Sequence, residues 1–199
     1  MDLKQEMPAA LRDQEIACQQ VLLEDATVFS IQWSVFPGRL AAALAPEELL
    51  KRYLDCIRSS TATIVRPRET QDGIELRLLG SGPSLISFLP PVIEGKSLVV
   101  RIRGGLLVQP RQQDRGELRF GVEKSTEGTR VALRLSGYCP LILGGPSPSL
   151  LRRWFYRLTQ AAIHRLVTVR FLTLLHRELA GQTARVRMVG VRVRDGWPV

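Results

Sequence analysis

Residues 129–138 read Thr-Arg-Val-Ala-Leu-Arg-Leu-Ser-Gly-Tyr, and after a Pro/Gly-rich break residues 150–180 read LLRRWFYRLTQAAIHRLVTVRFLTLLHRELA. The first stretch alternates Val131, Leu133 and Leu135 with Arg130 and Arg134, the period-two pattern of a strand with one buried face. The second keeps helical spacing throughout, with Ser147 or Ser149 as candidate cap and Gly181 as its stop. At ~1.5 Å per residue such a helix is about 45 Å long. Its apolar stripe is expected to run through Leu151, Trp154, Phe155, Leu158, Ala162, Leu166, Val169 and Leu172. A helix of that length with one apolar stripe needs a sheet to cover.

Upstream, the chain supplies one. Leu118, Phe120 and Val122 alternate with Glu117, Arg119 and Glu123; Leu98, Val100 and Ile102 alternate with Arg101 and Arg103. Leu85–Leu89 lies between Gly82-Pro83 and Pro90-Pro91. The Asp72-Gly73 pair joins Thr61–Glu69 to the alternating Ile74, Leu76 and Leu78, a strong hairpin signal. Short links such as 112–116 and 125–128 make neighbouring strands antiparallel. Earlier still, Phe29, Ile31, Trp33 and Val35 alternate with Ser30, Gln32 and Ser34, predicting a strand whose aromatic face looks inward. Residues 39–57 return to helical spacing, and Pro46 divides them into a short piece and a helix over 47–57. Residues 7–23 are predicted as an amphipathic helix, with Leu11, Ile16, Val21 and Leu22 for docking.

The order is therefore strand, two short helices, six antiparallel strands and one long helix. Over Thr27–Ala180 this order, with the closing run 129–138 and its Pro/Gly break, resembles the helix-grip fold of the START-like (SRPBCC) superfamily of lipid-transfer domains, polyketide cyclases and pollen-allergen-like proteins. The resemblance implies an α+β chain in which a curved antiparallel sheet of about seven strands and a long C-terminal helix enclose an apolar cavity. It divides the chain into an N-terminal helical extension (1–25), a helix-grip domain (26–181) and a basic C-terminal extension (182–199).

Charge and composition narrow the function. The 199 residues carry 28 Lys+Arg against 19 Asp+Glu, a net of +9. Residues 1–60 hold six basic and nine acidic side chains (6 − 9 = −3), so 61–199 carry +12. Arg77, Arg101, Arg103, Arg119, Arg130 and Arg134 fall on the polar faces of strands beside Glu75, Glu117 and Glu123, which predicts a solvated, ion-paired outer surface. Base-stacking aromatics do not accompany them, so nucleic acid is not the expected partner. Attraction to an anionic membrane surface is compatible with the arginines. Ala184–Val193, with Arg185, Arg187 and Arg192 between Val186, Met188 and Val191, reads as an extra edge strand, in the same chain or across a homodimer. Cys18, Cys56 and Cys139 lie too far apart for a disulfide framework or metal site, and a reducing cytoplasm is the expected location. The Met1–Pro8 stretch has no secretory character, and Arg165 and Arg170 interrupt the best apolar run short of a membrane span.

Candidate site residues follow from the cavity. On the long helix, Leu158, Ala162, Arg165, Val169, Leu172 and His176 repeat at four and three, placing Arg165 and His176 in the stripe toward the sheet. A buried guanidinium needs an anionic partner, so Arg165 is a candidate for orienting a carboxylate or phosphate of a ligand, with His176 beyond it. Trp33, Phe120, Leu133, Phe155 and Leu158 are the candidate apolar contacts. No Gly-x-Ser-x-Gly elbow, HExxH, CxxC or phosphate loop occurs; no cofactor or metal is expected, and no catalytic residue is assigned. His164 falls off the predicted stripe, and Tyr53, Tyr138 and Tyr156 lack a visible base. The expected function is carriage or sensing of a hydrophobic or amphipathic, in one version anionic, small molecule. A basic interaction or scaffold protein docking an acidic partner or nucleic acid is the alternative, and a cyclase-like enzyme in the same cavity the third reading.

Overall fold

The computed structural model describes residues 13–37, 41, 44–145, 148–180, 185–194 and 197–198. Its elements are β1 (Asp13–Leu22), β2 (Val28–Phe36), α1 (Pro46–Ser60), β3 (Val65–Thr70), β4 (Gly73–Leu78), β5 (Ser84–Phe88), β6 (Val92–Glu94), β7 (Ser97–Gly104), β8 (Glu117–Ser125) and β9 (Gly128–Tyr138). The long helix follows as α2 (Leu150–Tyr156), a π-helical turn (Arg157–Ala161) and α3 (Ala162–Ala180), then β10 (Arg185–Gly190) and the short β11 (Val193–Arg194) and β12 (Trp197–Pro198). Ten strands form one sheet in the order β10-β1-β2-β9-β8-β7-β5-β4-β3, with β6 beside β7. Every pairing in it is antiparallel except β1 with β10. The long helix and α1 cover one face of this curved sheet, and the arrangement is a helix-grip.

Local chemistry explains the elements. Pro46 opens α1 where its missing N–H costs nothing, Glu47 and Glu48 favour the helix N-terminus, and Leu49, Leu50, Tyr53, Leu54, Cys56 and Ile57 form its buried face. The Ser149 hydroxyl accepts the Arg152 N–H at 3.4 Å and caps α2. At the Asp72-Gly73 turn, Gly73 has φ +129° and any Cβ there would meet the Phe88 carbonyl oxygen, so only glycine fits. The outer face of β7–β9 carries Arg101, Arg119 and Arg134 linked through Glu94 and Glu117 (Arg101–Glu94 2.6 Å, Arg119–Glu94 2.7 Å, Arg134–Glu117 3.5 Å). These arginines are largely neutralised by their neighbours, as the sequence predicts.

Two expectations are corrected. Residues 13–22 are a strand, not part of a helix: Ala17 pairs with Trp33 and, on the other side, with Val189. Gln14 and Ile16 point into the interior, so a period of two and hydrogen bonds to two neighbours outweigh a sparse helical pattern. Residues 7–12 lie outside the described residues. The second correction concerns β2, whose faces are reversed. Ser30, Gln32 and Ser34 stand beside Leu135, Leu133 and Val131 on the inner face. Ile31 and Trp33 pack on the outer face with Ala17, Phe29, Ala132 and Val191, and the Arg130 guanidinium lies 4.4 Å from the Trp33 ring centroid. The buried polar face is held by hydrogen bonds: Gln32 donates to Ser30 (2.7 Å), Ser34 to the Glu15 carbonyl (2.7 Å) and Gln14 to the Leu172 carbonyl (3.0 Å). The basic tail segment Arg185–Gly190 extends the sheet edge of its own chain.

Candidate functional site

An apolar cavity of ≈ 270 Å³ lies between α1, the sheet and the long helix. Leu50, Tyr53, Leu54 and Ile57 of α1 form one wall. The floor is Ile74 and Leu76 of β4, Ile86 and Phe88 of β5, Val100 and Ile102 of β7, Leu118 of β8, and Leu135 and Tyr138 of β9. Tyr156, Gln160, Ile163, His164 and Val167 close it from the long helix. No Asp, Glu, Lys or Arg is among the described lining residues.

Several polar groups border the cavity. The Tyr138 hydroxyl donates to the Leu107 carbonyl at 2.9 Å and lies 3.5 Å from Gln160 Oε1. The same carbonyl accepts the Leu141 N–H at 2.8 Å, while Gln109 Nε2 donates to the Pro140 carbonyl at 3.0 Å, so the segments flanking the cavity are stitched together where β9 ends. Opposite, Thr61 closes α1 by donating to the Ile57 carbonyl at 2.9 Å and accepting the Val65 N–H at 3.1 Å. Burial pushes the Tyr53 hydroxyl up to about 12, with Thr168 opposing, and raises Tyr156 to about 12; Tyr138 is raised too. The three phenols are therefore neutral hydrogen-bonding groups at physiological pH. Burial pushes the His164 imidazole the other way, from 6.5 to about 4, so it is neutral as well and offers one donor and one acceptor. The space thus combines apolar walls with neutral phenol, amide and imidazole groups.

His164 also links the site to stability. Its folded value lies below its ordinary value, so as pH falls below about 6.5 the unfolded chain takes up the proton first. Its contribution is complete above that pH and is lost progressively down to about 4. Because the side chain is half-buried, we expect roughly 2 kcal/mol less stability at the acid end than at neutral pH from this residue. Burial lowers His176 in the same direction, so the informative comparison is urea unfolding of the parent and of His164→Gln at both ends of the range. The variant should show the shallower acid loss; equal losses would remove His164 as the cause.

None of the seven residues expected to bind ligand lines this cavity. Arg165, Phe155 and Leu158 are exposed on the long helix. Trp33 is on the opposite face of the sheet. Phe120 and Leu133 are fully buried core residues, Phe120 with its ring 5.4 Å from Tyr53 and edge-on to it. His176 is buried beside Phe36 at 5.9 Å. For Phe155 and Leu158 the cause is the π turn over Arg157–Ala161, which adds a residue to one turn and rotates everything before it relative to α3; Arg165 lies after it, within α3, and is exposed there. The repeat through Leu172 and His176 points inward, but carried back to Arg165 and Leu158 it points to solvent. Tyr156, Gln160, His164, Val167 and Phe171, spaced 4, 4, 3 and 4, are the inward series, legible as a stripe of aromatic and polar residues.

No protein-family model matches the chain, and no curated protein matches its sequence. Among solved structures, it is similar to the crystal structure of CalU16 from Micromonospora echinospora: 12% identity over 84% of this chain and 93% of that one, TM-score 0.36. The solution NMR structure of CalU16 gives 12% over 82% and 73%, TM-score 0.38. Similarity to the di-domain ARO/CYC StfQ from the steffimycin biosynthetic pathway is 11% over 79% of this chain, TM-score 0.45, and the chain spans about half (53%) of that protein's length. At these values the likenesses say nothing about activity, and the cavity must be read from its own walls.

Proposed function

We propose that this chain, in the manner of the START-like proteins it resembles in element order, is a cytoplasmic carrier or sensor of an uncharged, largely apolar small molecule held between sheet and long helix. The observation that supports this is the cavity itself: apolar walls from eight elements, neutral polar groups among them, and no Asp, Glu, Lys or Arg among the described lining residues. An anionic ligand head is disfavoured, because Arg165, the cation first assigned to it, is exposed and no other cation lines the space among the described residues. Apolar burial supplies the affinity, and Gln160, His164 and the phenols orient the ligand.

Native mass spectrometry of freshly purified protein, repeated after denaturation and solvent extraction, tests the reading. A released neutral hydrophobe, or saturable binding of the neutral dye Nile red by the empty protein, is the expected result. An empty protein that fails to bind the dye would sink it.

A further inference from the structure

The long helix has a second face that the cavity does not use. From Leu150 to Leu166 its inward side is Tyr156, Gln160, Ala161 and His164, while Leu151, Trp154, Phe155, Leu158 and Leu166 are each about half exposed or more on the outside. Trp154 and Phe155 stack edge-to-face with ring centroids 5.5 Å apart, so the two rings form one ridge. Scattered exposed apolar residues are ordinary, but a row spaced at threes and fours along one helix is not.

Charge follows the same row. Arg152, Arg153, Arg157 and Arg165 are all exposed on this stretch, and residues 150–166 contain no Asp or Glu. Among the described residues, the Arg152 and Arg153 guanidiniums donate to backbone carbonyls, those of Leu143 and Pro148, which satisfy N–H groups without cancelling charge. Among the described residues, none of these four arginines has an ion-pair partner. The contrast with the sheet is informative: there Arg77, Arg101, Arg119 and Arg134 are each paired with Glu75, Glu94 or Glu117. On this stretch of helix, positive charge without an ion-pair partner therefore accompanies an exposed apolar row.

We infer that this face of the long helix docks on an anionic lipid surface, with Leu151, Trp154, Phe155, Leu158 and Leu166 entering the headgroup–acyl boundary and the four arginines meeting lipid phosphates. A ridge of Trp, Phe and Leu edged by arginine, lying along the surface of a protein rather than crossing a membrane, has the composition of an interfacial helix. No described helix is long and apolar enough to cross a membrane, so the contact is peripheral. A second copy is the poorer occupant, because two such faces brought together would oppose arginine with arginine. A nucleic acid would satisfy the arginines but leave the leucines against a polar backbone. Ile163, half exposed on this helix, also lines the cavity, so docking would bring the cavity wall to the lipid. The docking stands whether or not the cavity holds a ligand.

Flotation of the full chain with vesicles tests the inference. At about 0.1 M salt, the chain should float with vesicles of about three parts phosphatidylcholine to one part phosphatidylserine, and at least tenfold more weakly with phosphatidylcholine alone. Trp154→Ser/Phe155→Ser should lower binding about tenfold or more by removing the ridge, and Arg152→Gln/Arg153→Gln several-fold by removing charge. All four positions are exposed, so both variants should melt with the parent; Leu151→Ser/Leu158→Ser on the same ridge replaces the first pair if it does not. A chain that stays with the soluble fraction, that floats equally with neutral vesicles, or whose ridge variants float like the parent overturns the docking. Capture by polyglutamate or RNA at that salt, without flotation, would overturn it in favour of a macromolecular polyanion.

Discussion

Ile86→Trp should bind a neutral apolar probe at least tenfold more weakly than the parent while melting within a few degrees of it. Ile86 is half-buried on β5, and its side chain forms part of the cavity floor. An indole in place of a sec-butyl group occupies space that a ligand in a cavity of ≈ 270 Å³ would need. Filling an existing void with apolar surface costs little, unlike inserting the same ring into a packed core, so loss of binding and loss of fold are separable. Val92→Trp is the control: Val92 is exposed on β6 of the same sheet and does not line the cavity, so binding there should be unchanged. If Ile86→Trp also binds Nile red like the parent, the ligand sits elsewhere and the proposed site is wrong.

That experiment depends on a feature the sequence does not announce. Alternation in 117–135, the Asp72-Gly73 hairpin and the long helical stretch together specify the sheet, its antiparallel order and the covering helix, because each rests on local periodicity and turn chemistry. Where tertiary contacts override local pattern, the reading departs from the structure. Residues 13–22 have little apolar alternation, yet β2 on one side and β10 on the other draw them into the sheet. In β2, alternation identifies a strand but not which face is inward, and the aromatic face is outward because Ala17, Ala132 and Val191 cover it. The site suffers most. A single π turn shifts the phase of the helix before it, so Tyr156 and Gln160 rather than Leu158 line the inner side, while beyond it His164 lines the cavity and Arg165 is exposed. A cavity is in any case a property of packing among eight elements distant in sequence, and no one of them encodes it.

The phase of the long helix is itself open to a large-effect test. Phe171→Ala should lower stability by about 3–5 kcal/mol, because Phe171 is 2% exposed and its ring meets Tyr53 edge-on at 5.5 Å. For a chain of this size, that corresponds to a fall in Tm of roughly 10 °C. Phe155→Ser removes an aromatic ring of the same size from the same helix, but from a position 46% exposed and outside the core cluster. It should move the melting midpoint by only a degree or two, since exposed substitutions stay within about 0.5 kcal/mol. A long helix turned so that Phe155 faces the sheet makes the opposite demand on Phe155: its truncation should then cost about as much as that of Phe171. Thermal melts of the two variants beside the parent decide between these phases. The ridge that docks lipid and the wall that closes the cavity both depend on the result, because they are the two faces this phase assigns. If Phe155→Ser proves as damaging as Phe171→Ala, Phe155 belongs to the core, and both the exposed ridge and the Gln160–His164 wall lose their footing together.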